Sequence, residues 1–268
     1  MSGSLKDYKL NDKQVRVLKL IYKFRFVTAP LLARYRNDSY RSVANSTLER
    51  LTAKGYLGRH YDKSYKFQFK GARYYLAPRA QKLLRDEYGL NQQVLHAIYR
   101  DKTANQKFID ERLEVFKIFL AIRDSYPGVF HIFSKSEIHS TDYFPESLPD
   151  LYLSRVKPSE DKPNDYLLEY TANKPLFVLK KRFLAYVEHF DSNDWEAQTE
   201  NKYPGLLFVC DNSTIEAKLL EHIEKVLDST GIDDLEIRTT TLKALNNPLT
   251  SSRGVWSAPT QPNILVSL

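Results

Sequence analysis

The sequence predicts an α+β protein: an N-terminal winged helix-turn-helix over residues 1–90, a connector over 91–104, and an α/β domain over 105–268. Three observations predict it. Residues 11–54 hold three short stretches whose apolar positions recur at helical spacing, and residues 56–76 switch to alternation. The charge also divides: residues 1–100 carry 21 Lys/Arg against 7 Asp/Glu, whereas the remainder carries 19 against 26.

The first helix is expected over residues 12–24, capped by Asn11. Val15, Leu18, Ile21 and Tyr22 recur on one face, and Lys13, Arg16, Lys19 and Lys23 fill the other. A short second helix starts after Thr28, which can cap it, and carries Leu31, Leu32 and Tyr35. Pro30 falls in its first turn, where a missing N–H costs nothing. The third helix spans 39–54, with Val43, Thr47, Leu48 and Leu51 lining its inner face and Gly55 suited to the left-handed position past its end. Tyr65-Lys66-Phe67-Gln68-Phe69-Lys70 then alternates rings with polar groups, Gly71 offers a turn or bulge, and Arg73-Tyr74-Tyr75-Leu76 reads as the return strand. Pro78 restarts a helix through Leu83, Leu84 and Tyr88 that ends at Gly89.

In the rear half a helix over 105–123 stops before Pro127-Gly128. Apolar strands at 129–133, 151–153, 166–170, 205–210 and 235–239 alternate with helices at 176–190 and 215–227, the order of a domain built around a sheet. Residues 158–164 are polar and Pro-rich and read as a hairpin loop.

Several classes of function are disfavoured. No run of about 18 apolar residues occurs, so no membrane span is expected. The opening residues 1–6 lack the apolar core and cleavage site of a signal peptide. A single cysteine, Cys210, closes no internal disulfide and fits a reducing cytoplasm. It ends an apolar strand and is expected to be buried rather than nucleophilic. The absence of a Gly-rich phosphate loop argues against an ATPase or a dinucleotide enzyme. His131 and His139 flank Glu137 without the spacing of a familiar zinc site, so packing or surface roles are expected for them.

The basic front half points to double-stranded DNA. In a helix-turn-helix the second helix of the motif lies in the major groove. With its inner face turned to the core, the third helix presents Arg41, Ser42, Asn45, Ser46 and Arg50 outward: Arg pairs with guanine, Asn with adenine, and Ser with bases or phosphates. Glu49 would read cytosine or pair with a neighbouring Arg. The hairpin forms a wing whose Arg59, His60, Lys63, Lys66, Lys70 and Arg73, set among Tyr61, Tyr65, Phe67 and Phe69, meet phosphate. Any one of these charges alone is equally a solvated surface group; their agreement with the helix pattern and the turn carries the reading. A winged helix also serves as a protein-interaction module, which is the competing expectation.

A series of short segments then resembles a known family across nearly the whole chain. Thr47-Leu48-Glu49-Arg50-Leu51 followed by Lys54-Gly55-Tyr56-Leu57 resembles the end of a recognition helix and the start of a wing. Leu76-Ala77-Pro78-Arg79-Ala80 with Leu83-Leu84 resembles an exit of the form L-T-P-x-G-x-x-L-L. Downstream come Ser136-Glu137-Ile138, Pro149-Asp150-Leu151, Leu168-Glu169-Tyr170, a basic helix ending in Tyr186, Pro204 to Val209, Thr239-Thr240-Thr241-Leu242 and Val255-Trp256. This order resembles the replication-relaxation family of plasmids and mobile elements. The resemblance implies a restriction-endonuclease-like rear domain and a role in replication, mobilisation or transcription regulation. As partners it implies a homodimer, a relaxase or a replication protein.

Endonuclease-like folds hold a divalent metal between an Asp and the acid of a (D/E)-x-K, the Lys positioning water. By resemblance, Asp150 and Glu169 take those places, Glu137 is a possible further ligand, and Mg²⁺ is the cofactor only if the domain cleaves. Thr171 stands where the lysine belongs, leaving Lys174, or Lys180 or Lys181 of the next helix, to supply it. The acidic balance of this half argues against an extensive phosphate-binding groove. A DNA binder without cofactor is therefore the primary expectation and a nuclease or nickase the alternative.

Overall fold

The computed structural model describes residues 10–61, 71–159, 163–172, 174–247, 254–259 and 261–268. It divides into two compact units, Met1–Leu113 and Glu114–Leu268, and the whole is a mixed α+β protein.

The first unit opens with α1 (Asp12–Phe24). Asn11 accepts from the Gln14 N–H at 2.9 Å while the Gln14 side chain accepts from the Asn11 N–H at 3.1 Å, so two orphan donors are satisfied at once. Leu18 and Ile21 are fully buried, and Lys13, Arg16 and Lys19 lie on the solvent side. Helix α2 (Ala29–Arg36) has Pro30 in its first turn; Thr28 stands at its N-cap position without a side-chain capping bond. Helix α3 (Arg41–Ala53) starts later than residue 39 because Tyr40 is extended (φ −132°, ψ 128°). Its buried residues are Ala44, Thr47, Leu48 and Leu51. Val43, expected inside, is 45% exposed, because the i, i+4, i+7 row that meets the core runs Ala44–Leu48–Leu51 and places its neighbour about 100° off that row.

Gly55, at φ +73°, closes α3 in the left-handed region. Strands β1 (Leu57–His60) and β2 (Arg73–Leu76) pair antiparallel from Leu57↔Leu76 to His60↔Arg73, and Val27 bridges Tyr74. The alternating segment 65–70 lies outside the described residues. Helix α4 (Pro78–Tyr88) ends on left-handed Gly89. The stretch expected as a connector is helical, as α5 (Gln92–Ile98) and a 3₁₀ turn (Tyr99–Thr103), with Val94, Leu95 and Ile98 buried. Buried Asp101 holds the Arg25 guanidinium, and its carbonyl lies 2.7 Å from His60 Nε2. Helix α6 (Gln106–Ser125) contains the division between units.

The second unit contains a seven-stranded sheet in sequence order: β3 (Phe130–Ser134), β4 (Leu151–Arg155), β5 (Asp165–Tyr170), β6 (Gly205–Cys210), β7 (Ile237–Thr241), β8 (Trp256–Ala258) and β9 (Gln261–Val266). The pairs β5/β6 and β6/β7 are parallel and the others antiparallel. Strands β4 and β5 pair antiparallel, and residues 160–162 of the loop expected between them lie outside the described residues. Short α7 (Lys135–Ile138) follows β3; α8 (Leu176–Asp191) and α9 (Asp194–Thr199) join β5 to β6, and α10 (Ser213–Thr230) joins β6 to β7. Strand β7 is followed by the four-residue α11 (Leu242–Leu245). Leu167, Leu206, Phe208 and Ile237 of the sheet pack with Leu179, Phe183 and Tyr186 of α8 and with Leu219 and Ile223 of α10. Gly205 permits a close approach: a Cβ there would meet the Tyr166 ring at 2.8 Å. No helix among the described residues is long and apolar enough to cross a membrane.

Candidate functional site

Two groups of residues were expected to carry function, one in each unit. In the first, packing of Ala44, Leu48 and Leu51 turns Arg41, Ser42, Ser46, Glu49 and Arg50 outward on α3, all of them exposed. Arg41 reaches the end of the hairpin, since a Cβ on Gly71 would lie 3.5 Å from its Nη2. Asn45 is half-buried and donates to Glu49 Oε1 at 2.9 Å, so Glu49 holds the amide rather than an arginine. The Arg50 Nε donates to the Ser46 carbonyl at 3.3 Å.

On the hairpin, Arg59 is exposed and its guanidinium lies 5.9 Å from the Tyr61 ring. Burial raises the pKa of the Tyr74 hydroxyl, with the charge of Glu49 adding to the rise and that of Arg59 opposing it. Lys63, Lys66 and Lys70 lie outside the described residues. Arg73 differs from its expected place among the phosphate contacts: it is 3% exposed and its Nη2 pairs with Asp110 at 2.9 Å. Strand β2 runs between β1 and the Val27 bridge, so its first residue is covered, and a buried guanidinium requires a counter-charge.

In the second unit Asp150 lies just before β4 and Glu169 near the end of β5. The strand register continues at this point, the Asp150 N–H donating to the Leu168 carbonyl at 2.9 Å and the Tyr170 N–H to Asp150 Oδ2 at 3.1 Å. Both acids are 5% exposed. Glu169 Oε1 accepts from Arg182 Nε at 2.8 Å, from Arg182 Nη2 and from the Tyr186 hydroxyl; Arg182 Nη2 also reaches the Leu148 carbonyl. Burial, reinforced by the negative charge of Asp150, holds the Glu169 carboxyl above its ordinary range against the pull of Arg182 and Lys174.

Asp150, Glu169 and Lys174 are therefore neighbours. The Lys174 Nζ donates to the Tyr170 carbonyl at 3.1 Å. Thr171, in the place of the expected lysine, is buried and its Oγ1 accepts from the Asp211 N–H at 3.2 Å. Lys181 is exposed on α8. Glu137 caps α7, its Oε2 accepting from the Ser134 N–H at 2.7 Å and Oγ at 3.0 Å. Cys210 is buried and its thiol pKa is raised by that burial. His131 and His139 are exposed.

Mg²⁺ takes oxygen ligands in near-octahedral geometry, and part of this donor set is already engaged within the protein. One Glu169 oxygen is engaged by Arg182 and Tyr186, one Asp150 oxygen by the Tyr170 N–H, and Glu137 by its cap. Among the described residues no three His, Cys, Asp or Glu side chains are grouped to hold a metal ion. Sequence reasoning missed Arg182, because thirteen residues and a turn separate it from Glu169 and no spacing rule links them.

No curated protein and no solved structure matches the chain. A family model described as replication-relaxation does, over residues 18–201, from within α1 to just past α9 and through both groups of residues above. That span covers more than half of the sequence, and the chain belongs to the replication-relaxation family.

Proposed function

We propose that the chain is a DNA-binding protein acting in replication or mobilisation control, and that its first unit is a winged helix holding duplex DNA with α3 in the major groove. The observation that carries this reading is the outward face of α3: exposed Arg41, Ser42, Ser46 and Arg50, with Asn45 at its margin, opposite a buried row of Ala44, Leu48 and Leu51. These are donors suited to base edges and phosphates, and the one acid among them, Glu49, is engaged by Asn45. The order of three helices, a hairpin and a helix supports the winged-helix reading. Arg59 remains a wing contact, whereas buried Arg73 leaves the set. Such binding requires no cofactor.

In the second unit the order α6-β3-β4-β5-α8-β6, three antiparallel strands and then a parallel one, supports the restriction-endonuclease-like reading. Its Asp150–Glu169 pair is read as a structural cluster held by Arg182, since one oxygen of each carboxylate is already bonded within the protein.

The test is fluorescence anisotropy on duplexes from around the protein's own gene. Tight binding is expected, with alanine at Arg41, Asn45 and Arg50 relaxing sequence preference and alanine at Lys66 and Lys70 weakening all duplexes alike. Absent or salt-insensitive binding overturns the proposal.

A further inference from the structure

We infer that Val43 reads the C5-methyl group of thymine, so that the preferred target of α3 contains thymine at a defined position. This rests on α3 being the groove helix, and it adds an aliphatic element to a helix face whose other exposed groups, Arg41, Ser42, Ser46 and Arg50, are polar or charged.

Val43 is the third residue of α3 and is 45% exposed. A β-branched side chain is a poorer helix former than alanine, and at this exposure the core gains little from it. Neither the helix nor the packing of the unit therefore calls for valine here. Its position does have a consequence on the surface. Val43, Ser46 and Arg50 stand at i, i+3 and i+7 and share one strip of the helix. The chain enters that strip at Tyr40, which is 72% exposed.

The surroundings select the occupant. Arg41, Ser42, Ser46 and Arg50 are exposed around this small apolar spot, in a segment where Lys and Arg outnumber Asp and Glu by 21 to 7 over residues 1–100. A protein partner would seat an apolar anchor in a larger desolvated patch. Duplex DNA offers the complementary combination: negative rails, donors and acceptors on the base edges, and one apolar group exposed in the major groove, the thymine methyl. A branched side chain of two methyls fits that group and offers nothing to the edges of a G·C pair.

The experiment uses the full-length protein and a duplex enriched from a random pool by repeated binding. Each thymine of that duplex is replaced singly by deoxyuridine, which removes the methyl and keeps the pairing. At one or two positions uracil is expected to weaken wild-type binding about fourfold, the worth of burying one methyl. Val43→Ala, whose single methyl sits closer to the helix, is expected to lose most of that uracil penalty, and its melting temperature is expected to hold, since alanine is the better helix former. A uracil penalty undiminished in Val43→Ala, or uracil tolerated by the wild type at every position, overturns the inference. Failure of the underlying reading has a separate signature: no duplex is enriched by the wild type at all, and the inference falls with it.

Discussion

A buried acid beside an arginine is a stability statement before it is a functional one. Removing one member of such a pair strands the other: Arg182→Ala leaves Glu169 without its cation and is expected to destabilise the protein by about 3 kcal/mol in urea unfolding. If the cluster is structural, replacing both partners by apolar residues of similar size, Glu169→Leu with Arg182→Met, is expected to recover most of that loss. A double variant no better than Arg182→Ala would contradict the structural reading. The pH dependence has a definite sign. The Glu169 carboxyl titrates in the folded state above its unfolded value of about 4.3. The stability from its proton is complete below that unfolded value and is lost as pH rises through the folded one. Wild type is therefore expected to lose stability relative to Glu169→Gln over that rise, by unfolding at a series of pH values. Arg73 and Arg59 make a second contrast at this scale. Arg59→Ala is expected to flatten the salt dependence of DNA binding by about one unit of log–log slope, whereas Arg73→Ala lowers the unfolding midpoint and leaves the slope unchanged.

Among the elements, Gly55 shows what a single backbone position costs. A Cβ there would meet nothing within 4 Å, yet φ is +73°, so Gly55→Ala is expected to cost about 1 kcal/mol through the backbone alone. Its melting transition would show the loss, and no change would mean that the turn adopts another conformation. This turn was legible in the sequence, as were α1 and α4, because Asn11, Pro78, Gly55 and Gly89 are local signals with local causes. The phase of α3 was not. Counting large apolar residues favours Val43, but a helix packed closely against its neighbours buries small Ala44 instead. The short elements α7, α9, α11, β8 and β9 also escaped. The helices among them are four to six residues long and β8 has three, too few for periodicity to register. The pairing of Glu169 with Arg182 was hidden for another reason: it depends on how β5 and α8 pack, which neither segment encodes alone.

Over the whole molecule the most informative property is the uneven charge. The excess of Lys and Arg in residues 1–100 and the excess of Asp and Glu beyond them were readable by counting, and the described structure divides at residue 113, close to that change of sign. The match to the family model extends into both units. The central claim is that α3 and the hairpin together hold duplex DNA, and its most direct test is the affinity of the full-length protein for duplex at two salt concentrations. If about six phosphates are contacted, log K falls with log salt at a slope near −5, roughly a thousandfold between 50 and 200 mM. That loss, with Arg41, Asn45 and Arg50 needed for sequence preference, is the predicted result. Affinity that is unmeasurable at low salt, or indifferent to salt across that range, would contradict it.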